Sequence, residues 1–404
     1  MNISDSERAT TILKKIGYKS SPEINGADLV LVNMCSVRQS AVDRVLGLEK
    51  KFQQAKKINP EFKSILTGCF LKKDQKKFQK IFDEIINIKD IGRLTQIMGK
   101  RLKNTDNYLE IEATATQGPS AFVPIMTGCD NFCAYCVVPH TRGREVSRPA
   151  DEINFEIKKL IKTGFKEIWL LGHNVNSYNN GKTNFPKLLK MVNDIPGKFW
   201  IRFTSPHPKD FSNELINVMA RSEKNTPYLN LPVQAGDDKV LKKMNRNYTV
   251  AQYKNLIKKI KKQIPDISLS TDIIVGFPGE TKKQFENSVK LFEEIKYDMA
   301  YISKYSPRFG TAAAKMKDDT PIEEKNRRKM VLNEILKKTA TKHNKIFVGK
   351  IVEVLVGQSK NNLLVGKSWH YKTVRLQGQK KLVGQFIKVK ITETSAWGLK
   401  GELI

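Results

Sequence analysis

The chain has 404 residues and a net charge of +30, from 71 lysines and arginines against 41 aspartates and glutamates. That length builds two or three domains, each with its own core, and the basic surplus calls for a polyanionic partner, most often nucleic acid, unless it reflects only a lysine-biased composition. No apolar run of about 18 residues and no signal-peptide pattern (the first residues read Met1-Asn-Ile-Ser-Asp-Ser-Glu7) predict a soluble, intracellular protein without membrane contact, placed in the cytoplasm. Five cysteines, an odd number, argue against a disulfide framework and for metal or catalytic use.

Residues 1–101 alternate helix and strand. A helix is predicted over 6–16, ending at Gly17, with a short buried parallel strand over 28–33, a helix over 40–57 and a second strand over 64–67. This rhythm makes an open α/β sheet domain, and Cys35 and Cys69 each follow directly on one of its strands, where binding groups collect. Residues 102–118 are polar and punctuated, and read as a linker.

A second α/β domain spans 119–335. After the apolar run 121–126, strands are predicted at 167–171, 198–203, 229–231, 268–275 and 299–305, with helices such as 150–163, 250–263 and 282–295 between them. Six such units predict a full or partial β/α barrel, with chemistry at the C-terminal ends of its strands. Residues 322–345 read as a charged helical connector. The segment 343–404 carries five short β-rich runs (350–356, 363–365, 373–376, 385–392 and 399–404) that fit a small β-barrel of the oligonucleotide-binding kind.

The most informative feature is Cys129-Asp-Asn-Phe-Cys133-Ala-Tyr-Cys136, with spacing C-x3-C-x2-C, just past the first barrel strand. Three thiolates this close hold three irons of a four-iron cluster and leave the fourth open for chemistry. The competing reading is a structural zinc site completed by His140. Against it, all three thiols share one loop, and a long domain needs no metal staple.

With Tyr135 just before the last cysteine, this loop resembles the radical S-adenosylmethionine enzymes. The wider text Gly128-Cys-Asp-Asn-Phe-Cys-Ala-Tyr-Cys-Val-Val-Pro-His-Thr-Arg-Gly143 resembles the methylthiotransferases among them. So do Gly172-His-Asn-Val-Asn-Ser-Tyr178, Leu231-Pro-Val-Gln234, Asp272-Ile-Ile-Val-Gly-Phe-Pro-Gly-Glu280 and Tyr305-Ser-Pro-Arg308. Around the second N-terminal cysteine of that family, Asn33-Met-Cys-Ser-Val-Arg38 is similar to the branch that modifies N6-dimethylallyladenosine in tRNA. The threonylcarbamoyl-adenosine branch would more typically read Cys-Ala-Val-Thr there, and the ribosomal protein S12 branch Cys-Gly-Phe. Ser36 and Arg38 could also be plain surface residues.

The resemblance implies an N-terminal α/β domain, a radical barrel and a TRAM barrel. It implies that Cys129, Cys133 and Cys136 ligate a [4Fe–4S] cluster whose open iron chelates S-adenosylmethionine. One electron from an outside reductant would then yield a 5′-deoxyadenosyl radical, which takes hydrogen from C2 of isopentenyladenosine beside the anticodon. Sulfur from a further source and a methyl group from a second S-adenosylmethionine follow. Arg202 and Gln234, at strand ends, could meet the cofactor's carboxylate or ribose, or make only a salt bridge or polar contact. Asp272 to Gly276 could let the backbone meet the adenosyl group closely, or form an ordinary tight turn. His173 stands where the family has Gln, and His207, between two prolines, reads as structural.

The family's N-terminal domain has three cysteines for an auxiliary [4Fe–4S] cluster, whereas this sequence has Cys35 and Cys69. Met1-Asn2 resembles the Met-Asn that follows the absent cysteine, so the sheet is expected to lack its first strand. The expectation is a start placed too late, or else a short form with a weak, absent or externally completed cluster. Alternatives in function are a methylthiotransferase acting on threonylcarbamoyl-adenosine tRNA or on ribosomal protein S12, or a non-catalytic RNA-binding relative. The intact cysteine loop argues against the last.

Overall fold

The computed structural model describes residues 1–35, 39–100, 102, 108–111, 113 and 118–404; Ser36 and Arg38, on which the branch reading rests, lie outside them. The chain folds as two compact units. One comprises Met1–Thr116, Met126–Val146 and Ser306–Lys315, and the other Gln117–Ile125, Ser147–Tyr305 and Met316–Ile404.

In the first unit, strands β1 (Leu29–Cys35), β2 (Lys63–Cys69) and β3 (Glu84–Ile85) form a parallel sheet in that order. Strand alternation gives the sheet two apolar faces. Leu29, Leu31 and Ile65 pack with Ala9 and Ile12 of the helix Asn2–Lys15, while Val30, Val32, Met34 and Leu66 pack with Phe52, Phe78 and Phe82. Two expectations change here. The helix expected over 40–57 is two helices, Gln39–Leu46 and Glu49–Ile58, because Gly47 interrupts the run at a residue of low helix propensity. The stretch expected as a linker contributes Tyr108, Leu109 and Ile111 to the same core as Ile12 and Ile65. Three apolar side chains in a polar segment bury themselves because the sheet face needs covering.

In the second unit, β4 (Ser120–Pro124), β5 (Glu167–Leu171) and β6 (Trp200–Phe203) form one parallel sheet. A second parallel sheet holds β7 (Tyr228–Asn230), β8 (Ser268–Val275) and β9 (Met299–Lys304). Ile201 joins the two: its N–H donates to Lys224 O (2.8 Å) and its carbonyl accepts from Thr226 N (3.1 Å). The six strands therefore run in sequence order with β4 and β9 outermost, a partial barrel. Helices Ala150–Lys162, Val250–Gln263 and Lys282–Ile295 fall where the periodicity predicts them. Thr249 with Gln252, and Thr281 with Gln284, form capping boxes that start the last two. After the helix Ile322–Lys345, five strands close a barrel (Ile351–Lys360, Leu363–Ser368, Thr373–Gln377, Gly398–Leu403 and Phe386–Ser395 in spatial order). Among the described residues, no helix is long and apolar enough to cross a membrane.

One buried cation ties this barrel to the parallel strands. Arg202 of β6 is 1% exposed; its Nε donates to Glu167 (2.6 Å), Nη1 to Thr226 (2.5 Å) and Nη2 to Ser368 O (3.0 Å). Trp169, Trp200, Tyr228 and Tyr371 present their rings to the guanidinium at 4.7–6.0 Å. Arg202→Met should leave Glu167 buried without its partner and destabilise the protein by about 3–5 kcal/mol. Denaturant unfolding followed by tryptophan fluorescence measures this, and a loss below about 1 kcal/mol would show that the pair is dispensable.

Candidate active site

The cysteine loop is shaped by backbone contacts before any side chain is considered. Gly128 has φ +79°, and a Cβ there would stand 2.0 Å from Arg144 O. The next residue, Cys129, donates its N–H to Gly143 O (3.2 Å), so the loop start lies directly against the Gly143–Arg144 backbone. Only glycine fits that approach. Phe132 takes a left-handed φ of +46° and is covered by the Arg144 guanidinium at 5.0 Å. A tight turn brings Cys136 N to Cys133 O (2.9 Å), and Ala313 N reaches Ala134 O (2.7 Å), pinning the far side of the loop.

None of the three thiols is in a disulfide; Cys129 is buried, while Cys133, Cys136 and the intervening Tyr135 are half-buried. Cys136 Sγ accepts from Val138 N (3.5 Å), and Cys129 Sγ from Asn131 Nδ2 (3.7 Å). Burial pushes the Cys129 thiol up, and its hydrogen bonds with Asn131 oppose this. Donors aimed at sulfur suit thiolate ligands of an iron–sulfur cluster, so the donor set fits that group. Among the described residues no group of three His, Cys, Asp or Glu is already arranged to hold a metal ion. His140 lies exposed on the short helix Val138–Thr141.

A second sulfur pair sits in the same unit. Cys35 and Cys69 are register partners at the ends of β1 and β2. Gly68 (φ +110°) turns the chain so closely over Met34 that a Cβ would meet Met34 O at 2.1 Å. Cys69 Sγ accepts from Arg142 Nε at 2.9 Å. Arg142 in turn bonds both carboxylate oxygens of Asp5 (Nη2–Oδ2 2.5 Å, Nη1–Oδ1 3.3 Å), and Tyr108 OH donates to Asp5 Oδ1. Burial pushes the Cys69 thiol up, while the guanidinium of Arg142 pulls the other way. Arg142 lay inside the quoted motif, but nothing in the sequence assigned it this role. Asp5 and Tyr108 had no signal at all, being 103 residues apart.

In the second unit the structure brings Gln234 and Asp272 together. Gln234 N donates to Asp272 O (2.9 Å), and Ile274 N to Gln234 O (3.0 Å). Gln234 takes φ +70°, which detaches it from the strand direction. The Asp272 carboxylate accepts from Asn230 Nδ2 (3.0 Å). At Gly276 (φ +66°) a Cβ would meet Lys325 Cγ at 2.5 Å, and its N–H donates to Glu280 (2.6 Å). Arg202 is held in the ion pair with Glu167 (2.6 Å). His173 follows β5 by two residues, and His207 is structural: its Nδ1 accepts from Lys209 N (3.1 Å) at 5% exposure.

These features define a radical S-adenosylmethionine protein, and the family comparisons agree. Residues 123–292 match the radical SAM superfamily, 1–88 an uncharacterized protein family designated UPF0004, and 345–404 the TRAM domain. The tRNA-2-methylthio-N(6)-dimethylallyladenosine synthase of Clostridium botulinum (strain Langeland) is 41% identical over 427 aligned positions, covering 100% of this chain and 95% of its own. That of Thermoanaerobacter sp. (strain X514) is 40% identical, covering 100% and 90%. The solved radical S-adenosylmethionine methyltransferase TsrM from Kitasatospora setae shares the fold, with a TM-score of 0.57 and 14% identity over 77% of this chain and 73% of that one. The chain belongs to the family of the tRNA-2-methylthio-N(6)-dimethylallyladenosine synthases, radical SAM methylthiotransferases.

Two outcomes follow. Gly128→Ala should cripple iron uptake by the cysteine loop, read as loss of the visible charge-transfer absorption after anaerobic reconstitution; full uptake would show that the loop tolerates a displaced Arg144. His207 is held neutral, its pKa pushed down to about 2 by burial and by Arg246. The unfolded imidazole gains a proton below about 6.5 and the folded one does not, so acid costs up to about 1.4 kcal/mol per pH unit. His207→Asn should flatten the fall in Tm below that pH; an unchanged slope would assign the acid sensitivity to other groups.

Proposed function

We propose that this chain adds a methylthio group to C2 of N6-dimethylallyladenosine in tRNA. The full-length 41% identity to a synthase of that name carries the reading, together with the C-x3-C-x2-C loop on its glycine-shaped frame. The +30 charge supports a polyanionic substrate, and the C-terminal barrel supplies a surface for it.

The radical SAM family implies a [4Fe–4S] cluster and S-adenosylmethionine. When bound, they supply one-electron cleavage of a sulfonium bond and hydrogen abstraction. The residues do the rest. Cys129, Cys133 and Cys136 are the cluster's ligands, Tyr135 flanks them, and Gly128 lets the loop lie against Arg144. Gln234 and Asp272, joined through Gln234 N and Asp272 O, offer a side-chain amide and a carboxylate, groups suited to the amino and ribose functions of S-adenosylmethionine. Cys35 and Cys69 hold the sulfur-bearing second cluster, with a further donor from outside the pair. A one-electron reductant and a sulfur source are the remaining partners, and the enzyme works in the cytoplasm without membrane contact.

Mass analysis of tRNA nucleosides from a host lacking its own methylthiotransferase tests this. Expression of the chain should yield the methylthio derivative of isopentenyladenosine, and Cys133→Ala should abolish it while isopentenyladenosine accumulates. Unmodified isopentenyladenosine with the parent chain would overturn the reading.

A further inference from the structure

We propose that Arg142 is a positioning residue for the second sulfur site: with Asp5, Tyr108 and Arg8 it forms a buried cationic pocket that orients and charge-balances the Cys69 sulfur. The inference rests on the reading that Cys35 and Cys69 hold an iron–sulfur group. Arg142 caps the short helix that follows the cysteine loop, its N–H donating to Val138 O (2.8 Å). Its side chain is 1% exposed and leaves that loop for the N-terminal sheet, where Nε reaches Cys69 Sγ at 2.9 Å. One side chain therefore links the two cysteine sites of this unit.

Charge accounting gives the pocket its purpose. Asp5, Arg8 and Arg142 are all buried, the first two at 0% exposure. Arg142 pairs with the Asp5 carboxylate, and the guanidiniums of Arg8 and Arg142 lie 5.4 and 5.6 Å from the Tyr108 ring centre. Arg8 Nε, Nη1 and Nη2 are buried without a hydrogen-bond partner among the described residues. Burying a guanidinium whose nitrogens lack partners is costly unless an anion sits beside it. The Cys69 sulfur, directly on Arg142 Nε, is the anchor for that anion, and an iron–sulfur group held by thiolates supplies the negative charge. On the other cysteine, Arg308 of the segment Ser306–Lys315 is 9% exposed and interacts electrostatically with Cys35, Asp74 and Asp43.

The test uses the full chain carrying Cys129→Ala, Cys133→Ala and Cys136→Ala, so that bound iron reports the second site alone. After anaerobic reconstitution, iron and acid-labile sulfide per chain, retention against a chelator and the EPR spectrum of the reduced protein are measured, with a thermal melt as the folding control. Adding Arg142→Lys keeps the charge but removes the forked geometry; it should weaken iron retention about 10- to 100-fold and alter the EPR spectrum. Arg8→Met, which leaves the Arg142–Asp5 pair intact, should weaken retention in the same direction. Folded variants with parental retention and an unchanged spectrum would overturn the proposal. So would a triple-alanine parent that takes up no iron. The radical reading is judged separately, by 5′-deoxyadenosine release from the chain with its loop cysteines intact.

Discussion

The ion pair between Asp5 and Arg142 is the contact on which the first unit turns. A carboxylate and a guanidinium, both essentially out of water, stabilise each other only while both are present and correctly aimed. Asp5 is fixed by the helix that covers the sheet and by Tyr108, and Arg142 by the helix cap after the cysteine loop. Satisfying this one pair brings together residues 137 positions apart and sets Cys69 against a guanidinium edge. The site's chemistry and the unit's folding therefore share the same side chains.

The second unit solves a comparable problem with Arg202. Its guanidinium is enclosed by four aromatic rings and one carboxylate, and it reaches backbone carbonyls of the C-terminal barrel. This places a strong directional tie between the parallel strands and the C-terminal barrel. The polar work is divided: buried charge holds the domains of this unit together, while the carboxylate of Asp272 and the side chain of Gln234 stay half-buried.

Much of this was legible from local pattern. The strands Glu167–Leu171 and Ser268–Val275 and the helices Val250–Gln263 and Lys282–Ile295 appear at the predicted residues, because their apolar period and their Thr-x-x-Gln caps are short-range signals. The break at Gly47 was missed because amphipathic period on both sides of it reads as one helix. Tyr108, Leu109 and Ile111 were missed because three apolar residues in a polar stretch carry no period, and only the uncovered face of the sheet explains their burial. Arg202 was visible as a polar residue in an apolar strand, yet whether it met a cofactor or Glu167 depended on the neighbouring strand.

By itself, the sequence determined the class of chemistry. Thiol spacing within one loop, the glycines that shape it and the motif order along the chain are all written over short distances, where covalent geometry limits the outcomes. Tertiary structure alone decided which charges are spent on folding and which face a ligand. Arg142 and Arg202 are equally arginines in the sequence. Burial beside Cys69 and Asp5 in one case, and inside an aromatic box with Glu167 in the other, assigns them different work, because the effect of a buried charge is set by the partners that packing brings within a few ångströms.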